Sequence, residues 1–288
     1  MNHPLNSLLA RYSPVTLQDH ERALREIIQE LALLGLWRAK FYEHAAFYGG
    51  TALRVFHGLP RFSEDLDFSL IQPASGFSLE PFLSAIQDEL EAYGFDLQVE
   101  KKSKTTDTAI ESAFIKGGTR INLLCIGTPE FLSTQLPRLQ LVRVKLEIDT
   151  NPPPKASFEV RTRLVPIPFQ VRLYDLPSLL AGKLHAVLCR NWKGRVKGRD
   201  WYDLVWYAGR GIHCNLDHLA ARMHQTNHRS SAEPMTLPEL KTELERRIND
   251  VDFEATKADV RPFIADASEL ALWGKPFFRE IATRLCGH

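Results

Sequence analysis

Asp65 and Asp67, separated by Leu66, follow the glycine pair Gly49-Gly50 and Thr51 within a short stretch of chain. On an extended strand the side-chain period is two. Both aspartates would then point to one face and Leu66 and Phe68 to the other, with the aspartate Cα atoms roughly 6.6 Å apart. Two like charges on one face repel unless a cation joins them. Mg²⁺ suits the pair, because it is a hard ion that accepts carboxylate, water and phosphate oxygens. Two such ions about 3.5–4 Å apart can serve an in-line displacement at phosphorus. A glycine pair between a strand and a helix lets backbone approach a ligand closely, and the helix N-terminus attracts phosphate. Gly49, Gly50, Thr51, Asp65 and Asp67 together read as a metal-triphosphate site. The competing expectation is a plain turn beside a solvent-facing edge strand.

A third carboxylate usually completes a two-metal site. The run Arg143-Val-Lys-Leu-Glu-Ile-Asp offers one, with Val144, Leu146 and Ile148 inward and Lys145, Glu147 and Asp149 on the opposite face. Glu147 or Asp149 is the expected third ligand, against the alternative of a half-exposed strand carrying mixed charges. Further on, Lys183 lies in an apolar helical stripe where it can reach a phosphate as a point charge or simply snorkel to solvent. Arg190, Lys193, Arg195, Lys197 and Arg199 form a basic segment without an acid, with Trp192 among them. Such a segment can grip RNA backbone and stack a base, or remain a solvated loop. Asp200 and Asp203 open the next helix, where an acid also serves the helix dipole. A phosphate on Ser63 would place roughly −1.5 to −2 charges beside Asp65, so this serine is a candidate for regulation. The histidines His57, His185 and His218 show neither H-x-x-x-H nor H-E-x-x-H spacing, so these three give zinc catalysis no support.

These residues need elements to position them. Apolar positions predict a helix over 17–37, then a strand over 45–48, with Thr51 capping the helix that follows. Alternation predicts a strand over 65–71, a helix over 81–93, and strands within 95–102, 108–115, 120–126 and 139–149. A proline run at 152–154 stiffens a connection, and 158–174 can return one or two strands to the sheet. From 176 the patterns are helical, at 176–191, 199–209, 215–226, 236–248 and 276–285. The expected fold class is α+β, a mixed sheet flanked by helices over 1–175 followed by a helical domain over 176–288.

The 288 residues are 44% hydrophobic with a formal net charge of +1, so a real core is available and any nucleic-acid site must be local. Cys125, Cys189, Cys214 and Cys286 are scattered and form no C-x-x-C pair, so their spacing suggests neither a disulfide framework nor a zinc knuckle. Neither a signal-peptide pattern nor a run of eighteen apolar residues occurs, so a cytoplasmic protein without membrane contact is expected.

Gly-Gly-Thr-Ala-Leu followed by Arg-Phe-Ser-Glu-Asp-Leu-Asp-Phe resembles the opening motif of the nucleotidyltransferase AbiEii/AbiGii toxin family. That family includes the MenT toxins and lies in the DNA polymerase β-like nucleotidyltransferase superfamily. Arg-Val-Lys-Leu-Glu-Ile-Asp resembles the family's later core strand, and Leu-Ala-Gly-Lys-Leu-His-Ala-Val-Leu-Cys-Arg its lysine helix. Lys-Gly-Arg-Asp-Trp-Tyr-Asp-Leu resembles its final acidic motif. The match runs in order from about residue 40 to 210. The resemblance implies a polymerase β-like core and Mg²⁺-dependent transfer of a nucleoside monophosphate from an NTP, with release of pyrophosphate. It further implies a toxin of a type IV toxin–antitoxin system, active in phage defence, that modifies the tRNA 3′ end and blocks translation while a neighbouring antitoxin restrains it. Carried over, Gly49, Gly50 and Thr51 hold triphosphate with Lys183 and Arg190. Asp65 and Asp67 bind metal, and Asp200 or Asp203 is the late catalytic acid, contributed by the helical domain. Glu147 stands where many relatives in the superfamily use Asp, which keeps Asp149 open as the third ligand. Transfer to a small molecule or a protein hydroxyl, and a non-catalytic nucleotide- or RNA-binding module, are the alternative expectations. A dehalogenase-type phosphatase also uses Asp-x-Asp, but its first aspartate follows an apolar strand, whereas here Arg61-Phe-Ser-Glu precedes Asp65.

Overall fold

Strands and helices intermix as far as Tyr174, and helices fill the described residues beyond it. The computed structural model describes residues 4–102, 108–190, 196–231 and 233–287. Its strands are β1 Ala45–Tyr48, β2 Leu66–Leu70, β3 Gln98–Lys101, β4 Ile110–Gly118, β5 Leu141–Asp149, β6 Phe158–Arg163 and β7 Phe169–Tyr174. Its first six α-helices are α1 Pro4–Ala10, α2 Leu17–Arg38, α3 Gly49–His57, α4 Glu80–Ala92, α5 Thr119–Cys125 and α6 Glu130–Ser133. The rest are α7 Leu176–Cys189, α8 Gly198–Ala208, α9 Leu216–Gln225, α10 Leu237–Asp250, α11 Phe253–Val260 and α12 Lys275–Cys286. The seven strands form one mixed sheet in the order β3-β4-β5-β2-β1-β7-β6, and the fold class is α+β. No helix among the described residues is long and apolar enough to cross a membrane.

Two compact units divide the chain. The first holds Met1–Thr51, Glu64–Pro152 and Val160–Leu173, and the second holds Ala52–Ser63, Pro153–Glu159 and Tyr174–His288. In the first unit, Thr16 and Asp19 start α2 with a reciprocal capping box, and Leu24, Ile27, Ile28, Leu31 and Leu34 recur at helical spacing to give it a buried stripe. β2 is fixed by its apolar positions. Leu66 and Phe68 are fully buried, and the Phe68 ring packs 5.1 Å from Phe41 and 5.0 Å from Phe47, centroid to centroid. Because successive side chains alternate, burying Leu66 and Phe68 turns Asp67 to the other face. The same rule applies to β5, where Val144, Leu146 and Ile148 are buried and Lys145, Glu147 and Asp149 are only half-buried.

Three expectations need correction. The stretch 120–126, expected as a strand, belongs almost wholly to helix α5. Its buried positions Thr119, Asn122, Leu123 and Ile126 recur at three and four residues, while Ile121 and Leu124 are exposed. Asn122 locks this turn: its Nδ2 donates to Asp96 O at 3.0 Å and Gly118 O at 2.8 Å, and its Oδ1 accepts from Asp96 N at 3.0 Å. Helix α3 starts at Gly49, so Thr51 lies inside its first turn instead of capping it. β2 starts at Leu66, leaving Asp65 one residue ahead of the strand.

The second unit is built around aromatic side chains from separate helices. Phe253 and Phe278 stack at 4.7 Å between centroids, and Trp201 meets Phe278 edge-on at 4.9 Å. Such pairs add to the area they bury and fix α8, α11 and α12 against each other.

Candidate functional site

In the first unit the glycine turn and one carboxylate are in direct contact. Gly49 has φ +83°, a left-handed conformation that favours glycine, and a Cβ added there would lie 2.6 Å from Asp67 Oδ2. The chain therefore leaves β1, reverses at a glycine and enters α3 directly against the Asp67 carboxylate. Gly50 is buried next to it. Thr51 is fully buried and its hydroxyl donates to the Asp65 carbonyl, which ties the first turn of α3 to the residue preceding β2. From the other side, α2 holds the same segment. Gln29 Nε2 donates to Glu64 O at 2.8 Å, and Arg25 pairs with Glu64 at 3.1 Å.

The third carboxylate follows from sheet register. β2 and β5 are parallel, and Asp67 pairs with Glu147 while Ser69 pairs with Asp149. Neighbouring strands lie about 4.8 Å apart, so paired residues on one face are within reach of a common cation. Glu147 is half-buried, 2.6 Å from Lys145 and within 3.4 Å of the Ser112 hydroxyl. Asp149, one pair further along, accepts from the Asn151 backbone at 3.0 Å.

The second unit contains a buried ionic cluster. Asp203, completely enclosed, accepts two bonds from Arg61, at 2.6 Å from Nε and 2.7 Å from Nη2, and lies 2.7 Å from Lys183. Lys183 also donates to Asp200 at 3.1 Å, and Arg190 approaches the second Asp200 oxygen at 3.4 Å. The paired fork from Arg61 is the strong geometry for a carboxylate. Burial alone would raise the Asp200 carboxyl, but Lys183, Lys197 and Arg190 outweigh it and hold the group well below the ordinary carboxylate range. Asp200 therefore stays ionised and is a poor proton acceptor near neutrality. Arg61, Lys183 and Arg190 thus lie against the two carboxylates, with the charge of Lys197 also acting on Asp200. Asp200 also occupies the first turn of α8, where the helix dipole favours an acid.

Of the basic segment, Arg190 is partly exposed and Lys197 half-buried, with burial lowering the Lys197 pKa. Arg199 stacks its guanidinium 4.1 Å above the Phe263 ring. Trp192, Lys193 and Arg195 lie outside the described residues. Ser63 is buried, so its modification would require local opening. Arg61 is the residue that spacing did not single out. Its signal is weak: an arginine in the Arg-Phe-Ser-Glu run just ahead of Asp65, whose partner Asp203 is 142 residues away.

Comparison with known proteins places this geometry in context. The family model for the nucleotidyl transferase AbiEii toxin of type IV toxin–antitoxin systems matches residues 31–284. No curated protein matches. Among solved structures, a candidate nucleotidyltransferase from H. pylori matches at 18% identity and a TM-score of 0.48, covering 90% of this chain and 91% of its own. The Helicobacter pylori protein JHP933 matches at 18% identity and a TM-score of 0.49, covering 90% of this chain and 88% of its own. With the family model matching most of the chain, the protein is a nucleotidyltransferase and belongs to the AbiEii toxin family of type IV toxin–antitoxin systems.

Proposed function

We propose that the chain transfers a nucleoside monophosphate from an NTP to the 3′ end of tRNA, and that this blocks translation as the toxic act in phage defence. Membership of the family supports the NTP donor and an antitoxin partner. The observation that carries the reading is the pairing of Asp67 with Glu147 on adjacent strands, against the glycine turn at Gly49.

Asp65, Asp67 and Glu147 are hard oxygen donors, and this donor set fits Mg²⁺, two ions being the usual complement; Asp149 is the alternative third ligand. When bound, Mg²⁺ neutralises triphosphate charge and favours in-line attack at the α-phosphorus. The protein groups do the rest. Backbone N–H groups at the start of α3, from Gly49, Gly50 and Thr51, receive phosphate oxygens. Lys183 and Arg190, drawn from the cation-rich cluster, offset the negative charge of the phosphates. The acceptor hydroxyl oxygen bonds to the α-phosphorus, the bond to the β-phosphate oxygen breaks, and pyrophosphate leaves. The hydroxyl proton passes to water or to a carboxylate of the first unit. Asp200 and Asp203 act as positioning residues that hold Lys183. The segment Arg190–Arg199, with Trp192, Lys193, Arg195 and Lys197, grips the RNA.

The test is incubation of purified protein with total tRNA, Mg²⁺ and each α-³²P-labelled NTP in turn, with an Asp65→Ala, Asp67→Ala control. Label on tRNA from the wild type alone is the expected result. Label on a small molecule or on protein instead would overturn the RNA acceptor, and NTP binding without pyrophosphate release would overturn catalysis.

A further inference from the structure

α7 carries His185 and Cys189 four residues apart, the spacing that puts two side chains on one helical face. A third donor comes from beyond α9. Asn227, in the left-handed region at φ 58°, turns the chain out of the helix, and the backbone N–H of His228 donates to Met223 O at 2.8 Å. The His228 ring thereby meets the His185 ring edge-on, with centroids 6.3 Å apart. One donor atom from each of His185, Cys189 and His228 lies within 4.8 Å of the other two. All three residues belong to the second unit, and none is part of the site described above.

We propose that His185, Cys189 and His228 form a three-ligand site for Zn²⁺, with a fourth position open to the adjoining pocket. Two imidazoles and a thiolate are the borderline-to-soft donors that favour Zn²⁺ over Mg²⁺ or Ca²⁺. With Zn–N about 2.0–2.1 Å and Zn–S about 2.3 Å, a tetrahedral ion draws these ligand atoms to roughly 3.3–3.6 Å of each other. Closing the cluster therefore takes a movement of the order of 1 Å, within the reach of rotamer adjustment by an exposed His228. The two rings are already held together. Thr226 Oγ1 lies 3.0 Å from His185 Nε2 and 3.0 Å from His228 Nδ1, and the hydroxyl donates its proton to Arg222 O at 3.0 Å. The pocket is lined by Cys189 and His228 together with Glu239 and Glu243, whose charges offset Arg229 and Arg246 on the same wall. On binding, the Cys189 thiol releases its proton to solvent and the thiolate sulfur takes the metal. The consequence is a clamp between the C-terminal turn of α7 and the end of α9.

The experiment uses the full-length chain, stripped with chelator, in an Asp65→Ala, Asp67→Ala background so that the carboxylates contribute no binding. Zn²⁺ alone is titrated by calorimetry, and Co²⁺ is added separately to read thiolate coordination by near-ultraviolet charge-transfer absorption. One equivalent of Zn²⁺ retained through desalting, a rise in Tm of several degrees, and a thiolate-to-Co²⁺ band are expected. His228→Gln, on an exposed residue, should weaken Zn²⁺ at least tenfold and Cys189→Ser should abolish the band, while Cys214→Ser leaves both unchanged. Failure to retain metal, or binding unaltered in His228→Gln, overturns the site even if Cys189→Ser does not fold.

Discussion

A single methyl group tests the glycine turn. In Gly49→Ala the new Cβ meets Asp67 Oδ2 at 2.6 Å, and the left-handed backbone adds a conformational cost of about 1–2 kcal/mol. The carboxylate must move, so nucleotidyl transfer should fall more than tenfold while stability in urea falls by about 1–3 kcal/mol. Gly58→Ala is the matched control. It carries the same conformational cost at φ 72°, but nothing lies within 4 Å of the added carbon. It should lose about 1 kcal/mol and keep its activity. Arg61 makes the complementary prediction for charge. Asp203 is fully enclosed, and Arg61→Ala removes both of its guanidinium bonds, leaving Lys183 as the cation 2.7 Å away. Breaking one side of such a buried pair costs about 3–5 kcal/mol, measurable by chemical denaturation. Arg61→Lys should recover only part of that, since an ammonium cannot reproduce the two-pronged contact.

At the scale of elements, the register of β2 on β5 distinguishes the two candidate third ligands. Glu147 is the partner of Asp67, whereas Asp149 is the partner of Ser69 and already accepts from the Asn151 backbone. Glu147→Gln should reduce transfer at least a hundredfold with little change in Tm, and Asp149→Asn less than tenfold, in a steady-state assay of pyrophosphate release. Equal losses in the two variants would remove the distinction. The pattern of β5 is legible in the sequence because burial on one face enforces strict alternation of Val144, Leu146 and Ile148 with charged residues. Its partner strand is not, since register depends on pairing between segments some eighty residues apart. The helix α5 is hidden in the sequence for a related reason. Ile121, Leu123 and Leu124 suggest a strand by composition, while the deciding residue is Asn122, a polar side chain whose burial makes sense only once Asp96 and Gly118 are in place to bond it.

Across the whole molecule, groups brought together by long-range folding are the least visible in sequence. Arg61 and Asp203 are 142 residues apart, and His218 meets the carbonyl of Pro154 across 64. His218 sets the last prediction. It is fully buried, and its Nδ1 faces Pro154 O at 2.8 Å, an acceptor, so the ring is the neutral tautomer with its proton on Nδ1. Nε2 is buried without a hydrogen-bond partner, so the N–H that a second proton would create there has no acceptor. Burial outweighs the carbonyl contact and lowers the imidazole pKa to about 4. As pH falls below the unfolded value of about 6.5, the unfolded chain takes up a proton that the folded chain refuses. The contribution is therefore intact above about pH 6.5, declines down to about pH 4 and is constant below that. At about 1.4 kcal/mol per pH unit the full loss is of the order of 3 kcal/mol. Asp200 acts in a separate window. Its depressed pKa supplies stability that is present above the unfolded carboxyl value of about 4 and is lost only as pH falls further, through the folded value. Urea denaturation at steps between pH 7.5 and 4.5 should accordingly show wild-type stability declining, and the gap to His218→Gln narrowing by roughly 2–3 kcal/mol over the same range. The glutamine can still donate to Pro154 but has no site to titrate. Parallel pH profiles for the two proteins would mean that His218 takes up its proton as readily folded as unfolded, and that the enclosure of its ring beneath Tyr174 is looser than its 5.6 Å centroid contact implies.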